Sequence, residues 1–224
     1  ALMRWTTGGT IAELLPAPWS ARTRVHEYGG AAFTVIDGIA YFQNDADQRV
    51  YRLDGDTPIP LTPDADIRHA DFTFDRGNNR LIAVREDHTT GAAEAVNSIG
   101  TIPLDGSHNG AVLAGGHDFY ATPRVSPDGT QLAWLSWDHP NMPWDGCELW
   151  VGEFLPDGSL GKQRLVAGGP SESIFQPIWS PNGTLYFTSY RTGFWNIYRE
   201  TASGPQIVLE KPISDSCFYL EAQD

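Results

Sequence analysis

Apolar residues in this chain come in short runs of up to four positions, within the length of a β-strand, split by clusters of Pro, Gly, Asp, Asn and Ser. Three of these runs are Leu81-Ile82-Ala83-Val84, Leu132-Ala133-Trp134-Leu135 and Leu185-Tyr186-Phe187. Nearly the same phrase precedes each of them: Phe72-Thr73-Phe74-Asp75, Val125-Ser126-Pro127-Asp128-Gly129 and Trp179-Ser180-Pro181-Asn182-Gly183. A weaker copy, Phe33-Thr34-Val35-Ile36-Asp37-Gly38, runs into Ile39-Ala40-Tyr41-Phe42. No stretch keeps a helical period. Glu13-Leu14-Leu15 comes nearest, and Pro16 and Pro18 end it. Short strands and turns repeating every 40 to 54 residues or so predict an all-β chain folded as a β-propeller of four-stranded antiparallel blades.

Four blades are expected, at residues 24–63, 68–115, 119–168 and 173–210. Residues 1–23 are expected to give an outer strand to a ring-closing blade, and 211–224 to start a further one. Four blades at this repeat length are too few for a ring of six to eight, so the chain reads as part of a larger propeller.

In a meander, successive loops alternate between two faces. One face collects tight turns such as Ser126-Pro127-Asp128-Gly129, where Pro presets the turn and Gly takes the positive φ. The repeated phrase is therefore structural punctuation. The other face collects long connections: residues 85–88, 137–145 and 190–196, together with the entries to first strands at 26–30, 115–120 and 169–175. Binding usually resides in loops on a rigid scaffold. The residues expected on this rim are Glu27, Tyr28, Arg85, Glu86, Trp137, Asp138, His139, Trp144, Asp145, Arg191 and Trp195. Glu27 and Glu86 suit a cationic group such as a peptide's free amino terminus. Arg85, Arg124 and Arg191 suit a carboxylate. Asp138-His139 with Asp145 has the make-up of an acid–base pair with an orienting carboxylate, and equally of a self-packed loop whose turns the two aspartates cap.

Composition narrows the function. A formal net charge of −13 leaves no basic stripe for nucleic acid. No apolar run approaches the roughly 18 residues of a membrane span. Cys147 and Cys217 form no metal pattern and read as free packing thiols, which points to a reducing, cytoplasmic setting. The six histidines show no ligand spacing, and no metal or cofactor is expected. No G-x-S-x-G elbow, Walker loop or dinucleotide fingerprint occurs, so no catalytic residue is assigned.

Several segments carry a resemblance. Arg24-Val25-His26-Glu27-Tyr28-Gly29-Gly30, Val84-Arg85-Glu86-Asp87-His88, the stretch from Trp137-Asp138-His139-Pro140 to Trp144-Asp145, Gln176-Pro177-Ile178-Trp179-Ser180-Pro181 and Arg191-Thr192-Gly193-Phe194-Trp195-Asn196 resemble the amino-terminal propeller of prolyl oligopeptidase family serine peptidases. The acylaminoacyl-peptidase and dipeptidyl-peptidase-like branch is the nearest. The resemblance implies a peptidase parent whose α/β-hydrolase domain carries a Ser-Asp-His triad, with the propeller gating and selecting short peptides. No residue here matches that triad, so the chain alone is expected to be inactive. Its implied partners are its own hydrolase domain and a short peptide; a homo-oligomer is left open. Two alternatives remain: a freestanding TolB-like binding propeller, and a metal-dependent propeller lyase or lactonase.

Overall fold

A computed structural model describes residues 2–108 and 110–208. These hold eighteen strands and no helix. They fall into two compact units, Ala1–Gly115 and Gly116–Asp224. The segment expected to start a further blade lies outside the described residues, as does Cys217.

The first unit opens with a hairpin, β1 (Met3–Trp5) and β2 (Ile11–Glu13), paired only with each other. Where one outer strand was expected, two form. A four-stranded sheet follows: β3 (Phe33–Ile36), β4 (Ile39–Gln43), β5 (Val50–Asp54) and β6 (Thr57–Pro60). The next consists of β7 (Ile67–Asp75), β8 (Arg80–Asp87), β9 (Val96–Pro103) and β10 (Val112–Ala114). The second unit holds β11 (Phe119–Val125), β12 (Gln131–Trp137), β13 (Glu148–Phe154) and β14 (Leu160–Gly168), then β15 (Ile174–Trp179), β16 (Leu185–Ser189), β17 (Asn196–Arg199) and β18 (Gln206–Ile207). In all four sheets the strands lie side by side in sequence order and antiparallel, the meander of a propeller blade.

Within each unit, apolar faces of successive sheets pack together. Tyr41, Val50 and Leu61 meet Phe72, Leu81, Ala83 and Ile102. Leu135, Leu149 and Val151 meet Ile174, Leu185 and Phe187. Each large side chain removed from water in this way contributes about 1.5–3 kcal/mol. The repeated phrase acquires a mechanism in its turns. Ser126 Oγ donates to Asp128 Oδ1 (2.6 Å) and accepts from Gln131 N (2.9 Å). Ser180 repeats this with Asn182 Oδ1 (2.6 Å) and Thr184 N (3.1 Å). The first copy lacks the serine. It uses a buried Asp75 that takes Arg80 Nε at 2.8 Å.

Three first strands are longer than the sequence pattern suggests. β7, β11 and β15 each carry a β-bulge, with Asp71 (φ 57°), Thr122 (φ 49°) and Gln176 (φ 47°) in the left-handed region. The bulge breaks the period of two, so the alternation read from sequence stops there while the strand continues toward the long-loop face.

Candidate functional site

The long connections form two clusters, one in each unit. In the first unit, Arg68 and Glu86 are cross-strand partners on β7 and β8. The Glu86 side chain is 5% exposed, so its carboxylate needs hydrogen-bonded partners. It has three. Arg68 Nη1 donates to Oε1 at 3.1 Å, His88 Nε2 to Oε1 at 2.6 Å, and the His26 backbone N–H to Oε2 at 2.6 Å. The last bond braces a strained turn. His26 and Glu27 are consecutive non-glycine residues at φ 53° and 64°, a conformation that costs about 1–3 kcal/mol per residue and collects at functional sites.

That turn holds Glu27 out in solvent, its side chain 80% exposed. Arg68 Nη1 reaches Glu27 Oε1 at 2.7 Å and also donates to Arg24 O at 3.0 Å. The Arg68 hydrogen bond, and then its charge, hold the Glu27 carboxyl below its usual range. Arg68 thus bridges two carboxylates, Glu86 buried beneath it and Glu27 held out in solvent. Tyr28 stands beside it, exposed, its OH 3.3 Å from His26 Nδ1. Arg68 was not singled out from the sequence; its cross-strand register with Glu86 is the signal that finds it. Arg85 turns away and pairs with Asp87 at 2.7 Å.

In the second unit, the entry to β11 and the exit from β12 close on each other. His117 Nδ1 lies 2.8 Å from Asp138 Oδ2, and His139 Nδ1 lies 3.0 Å from Asp118 Oδ2. Backbone bonds reinforce both crossings: Asp118 N to Asp138 Oδ1 (2.7 Å) and His139 N to Asp118 Oδ2 (2.9 Å). The His139 backbone bond is the largest cause of the lowered Asp118 pKa. Asp138 therefore serves His117 and Asp118 rather than His139. Asp145 accepts from Met142 N at 2.9 Å, capping its turn. Of the two readings of this loop, the geometry favours the self-packed one.

The loop is also tied to the entry of β15. Asn141 Nδ2 donates to Pro170 O (2.9 Å) and Ser173 Oγ to Pro143 O (2.7 Å). Gly146 lies so close to that entry that a Cβ there would meet Gly169 O and the Pro170 carbonyl carbon at 2.4 Å. Farther along, Glu172 takes Arg191 Nη2 at 2.8 Å, and Arg191 also lies over the Tyr198 ring. Trp137 and Trp195 are buried, Trp137 stacked on Phe119 and Trp195 beside Phe175 and Tyr190. Trp144, Tyr190 and Phe194 remain exposed. Among the three arginines weighed for a carboxylate, Arg85 and Arg191 are engaged by acids, and Arg124 Nη1 donates to Pro123 O at 2.9 Å. Among the described residues no group of three or more His, Cys, Asp or Glu is placed to hold a metal ion. No helix there is long and apolar enough to cross a membrane.

Neither a protein-family model nor a curated protein matches the chain. Solved structures do. A puromycin-hydrolyzing peptidase from Mycobacterium tuberculosis is 37% identical, with a TM-score of 0.85, over 93% of this chain and 35% of its own. A puromycin hydrolase is 34% identical with a TM-score of 0.86 at the same coverage. TolB from Agrobacterium tumefaciens, 17% identical with a TM-score of 0.58 over 92% of this chain and 66% of its own, shares the fold alone. This chain spans about a third of the length of the two peptidases. Over nearly all of its own length, the chain is thus similar to the amino-terminal propeller of a prolyl oligopeptidase family peptidase, as its Glu-Tyr-Gly-Gly and Trp-Asp-His-Pro segments implied.

Proposed function

We propose that this chain is the substrate-selecting propeller of a serine peptidase acting on short peptides, and that Glu27 receives the substrate's free amino terminus. The observation that carries the reading is the Glu27–Arg68–Glu86 arrangement. A strained, braced turn presents one carboxylate to solvent beside an aromatic ring. An ammonium group is the complement of that site by charge-assisted hydrogen bonding and by cation–π contact with Tyr28. Glu86 acts from beneath, as the brace. This favours the branches that need a free amino terminus over an acylaminoacyl peptidase. The hydrolysis of puromycin by the related structures makes that compound the first substrate to try. Catalysis itself belongs to a Ser-Asp-His hydrolase domain of the whole protein.

The test uses the full gene product. Its reading frame encodes a G-x-S-x-G serine with its Asp and His beyond residue 224; a frame lacking them ends this proposal. In that enzyme, Glu27→Gln raises KM for a free-amino peptide amide by about 10- to 100-fold, the worth of one charged hydrogen bond. The N-acetylated substrate is unaffected. Equal kinetics on both substrates would remove Glu27 from the site.

A second reading draws on the exposed Trp144, Tyr190 and Phe194 of the second unit. Such side chains serve as anchors in protein interfaces, which suits a freestanding TolB-like binder. A pull-down that returns one stoichiometric partner, with no hydrolase in the reading frame, would favour it.

A further inference from the structure

The turn that carries Glu27 spans two fixed ends. Upstream, Val25 is buried and Arg24 N donates to Gln48 Oε1 at 2.9 Å. The turn closes on this end through Glu27 N to Arg24 O and Gly29 N to Val25 O, both 2.9 Å. Downstream, the chain meets β7 at Asp71. The Ala31 N–H donates to Asp71 Oδ1 at 2.8 Å, and the Asp71 N–H returns a bond to Ala31 O at 2.9 Å. Gly30 lets the two segments lie this close: a Cβ there would meet the Ala70 Cβ at 3.1 Å and Asp71 Oδ1 at 3.3 Å. The bulge makes the reciprocal pair with Ala31 possible. Between the Ala70–Val84 and Thr73–Ile82 pairs, β7 has two residues, Asp71 and Phe72, where β8 has one, Ala83. With φ at 57°, Asp71 does not spend its N–H on the ladder to β8, and both that N–H and the carboxylate turn to Ala31. The bulges of β11 and β15 carry the uncharged Thr122 and Gln176 in the same conformation.

We infer that Asp71 is a positioning residue for Glu27. Glu86 on β8 holds the turn at the His26 N–H, and Asp71 on β7 holds it at Ala31, so two strands of one sheet fix the exposed carboxylate between them. Preorganisation of this kind lowers the ordering cost when an ammonium group arrives. Toward Ala31 the Asp71 side chain acts as an acceptor, a role that an amide oxygen can fill and a hydrogen atom cannot. Asn at this place should therefore serve, and Gly should not.

The inference rests on the reading of Glu27 as the receptor of the substrate's amino terminus, and the experiment separates the two. It uses the full gene product. Asp71→Gly keeps the left-handed backbone and removes the acceptor. It is expected to raise KM for a free-amino peptide amide by about tenfold, the worth of one hydrogen bond, with kcat unchanged and the N-acetylated substrate unaffected. Asp71→Asn is expected to restore KM to within about twofold, because Asn tolerates the same φ and its amide oxygen accepts the same bond. Gly30→Ala wedges the junction from the other side and is expected to give the same selective rise, so the result does not hang on one variant. Added to Glu27→Gln, Asp71→Gly should change nothing further, since it acts through that carboxylate. Four results would each overturn the inference and leave the proposed function standing. These are an unchanged KM in Asp71→Gly while Glu27→Gln raises it, equal losses on both substrates, no recovery with Asn, and additive effects in the double variant. A silent Glu27→Gln would remove both.

Discussion

The two clusters of long loops occupy the same place in their blades, where the second strand ends and the first begins, yet they do opposite things with charge. Around β7 and β8, two carboxylates share one arginine; one is buried as a brace and the other is left facing water. Around β11 and β12, two carboxylates meet two histidines and each finds its partner within the cluster. The first leaves a carboxylate, Glu27, open to solvent. The second spends its polar groups on shaping a loop that displays Trp144. Burial and the sharing of partners, more than residue type, separate an exposed carboxylate from a latch.

The comparison is most easily broken at Glu86. Removing one partner of a buried, bonded charge costs about 3–5 kcal/mol, so Glu86→Ala should lower unfolding free energy by that amount in urea titrations. A loss below about 1 kcal/mol would mean the brace is not one. Next in size is a pH effect confined to the first unit. His69 is buried on β7, and burial holds its pKa down to about 3 from 6.5. The unfolded chain then takes up the proton first, so this contribution is complete above about pH 6.5 and falls as pH drops toward 3. By pH 5 about 2 kcal/mol of it is lost. His69→Leu should flatten the fall in melting temperature between pH 7 and pH 5. Smaller still is Asp138→Ala, whose exposed pairing is worth less than about 1 kcal/mol. It should speed amide exchange in residues 138–146 without moving the melting temperature by more than a few degrees. Smallest is Gln176→Gly, which relieves a left-handed residue and should stabilise by about 0.5 kcal/mol. Asp71→Gly should not, because Asp71 Oδ1 accepts from Ala31 N at 2.8 Å.

The blades were legible because turn chemistry and a period of two repeat locally. β12, β13 and β17 fall where their apolar runs and bounding turns place them. The starts of β11 and β15 were hidden, since a bulge shifts the alternation by one residue and carries no compositional mark. Glu27 was legible as an exposed acid in an unusual Gly-rich entry. Its partner was not, because Arg68 and Glu86 are 18 residues apart and meet only through strand register. Trp137 and Trp195 show the converse: an aromatic at a loop edge reads as an anchor until the neighbouring rings that bury it are in place.

The bulges in β7, β11 and β15 also divide each first strand into two segments of opposite phase. The segment nearer the tight turns is locked in register by the Ser-Pro-Asp/Asn-Gly connection or by the Asp75–Arg80 pair. The segment nearer the long loops starts its alternation afresh. A single inserted or deleted residue at Asp71, Thr122 or Gln176 would therefore exchange inward for outward positions in the loop-proximal segment only. Each of these three blades carries a joint at which its long-loop end can be re-aimed while the packed half keeps its frame.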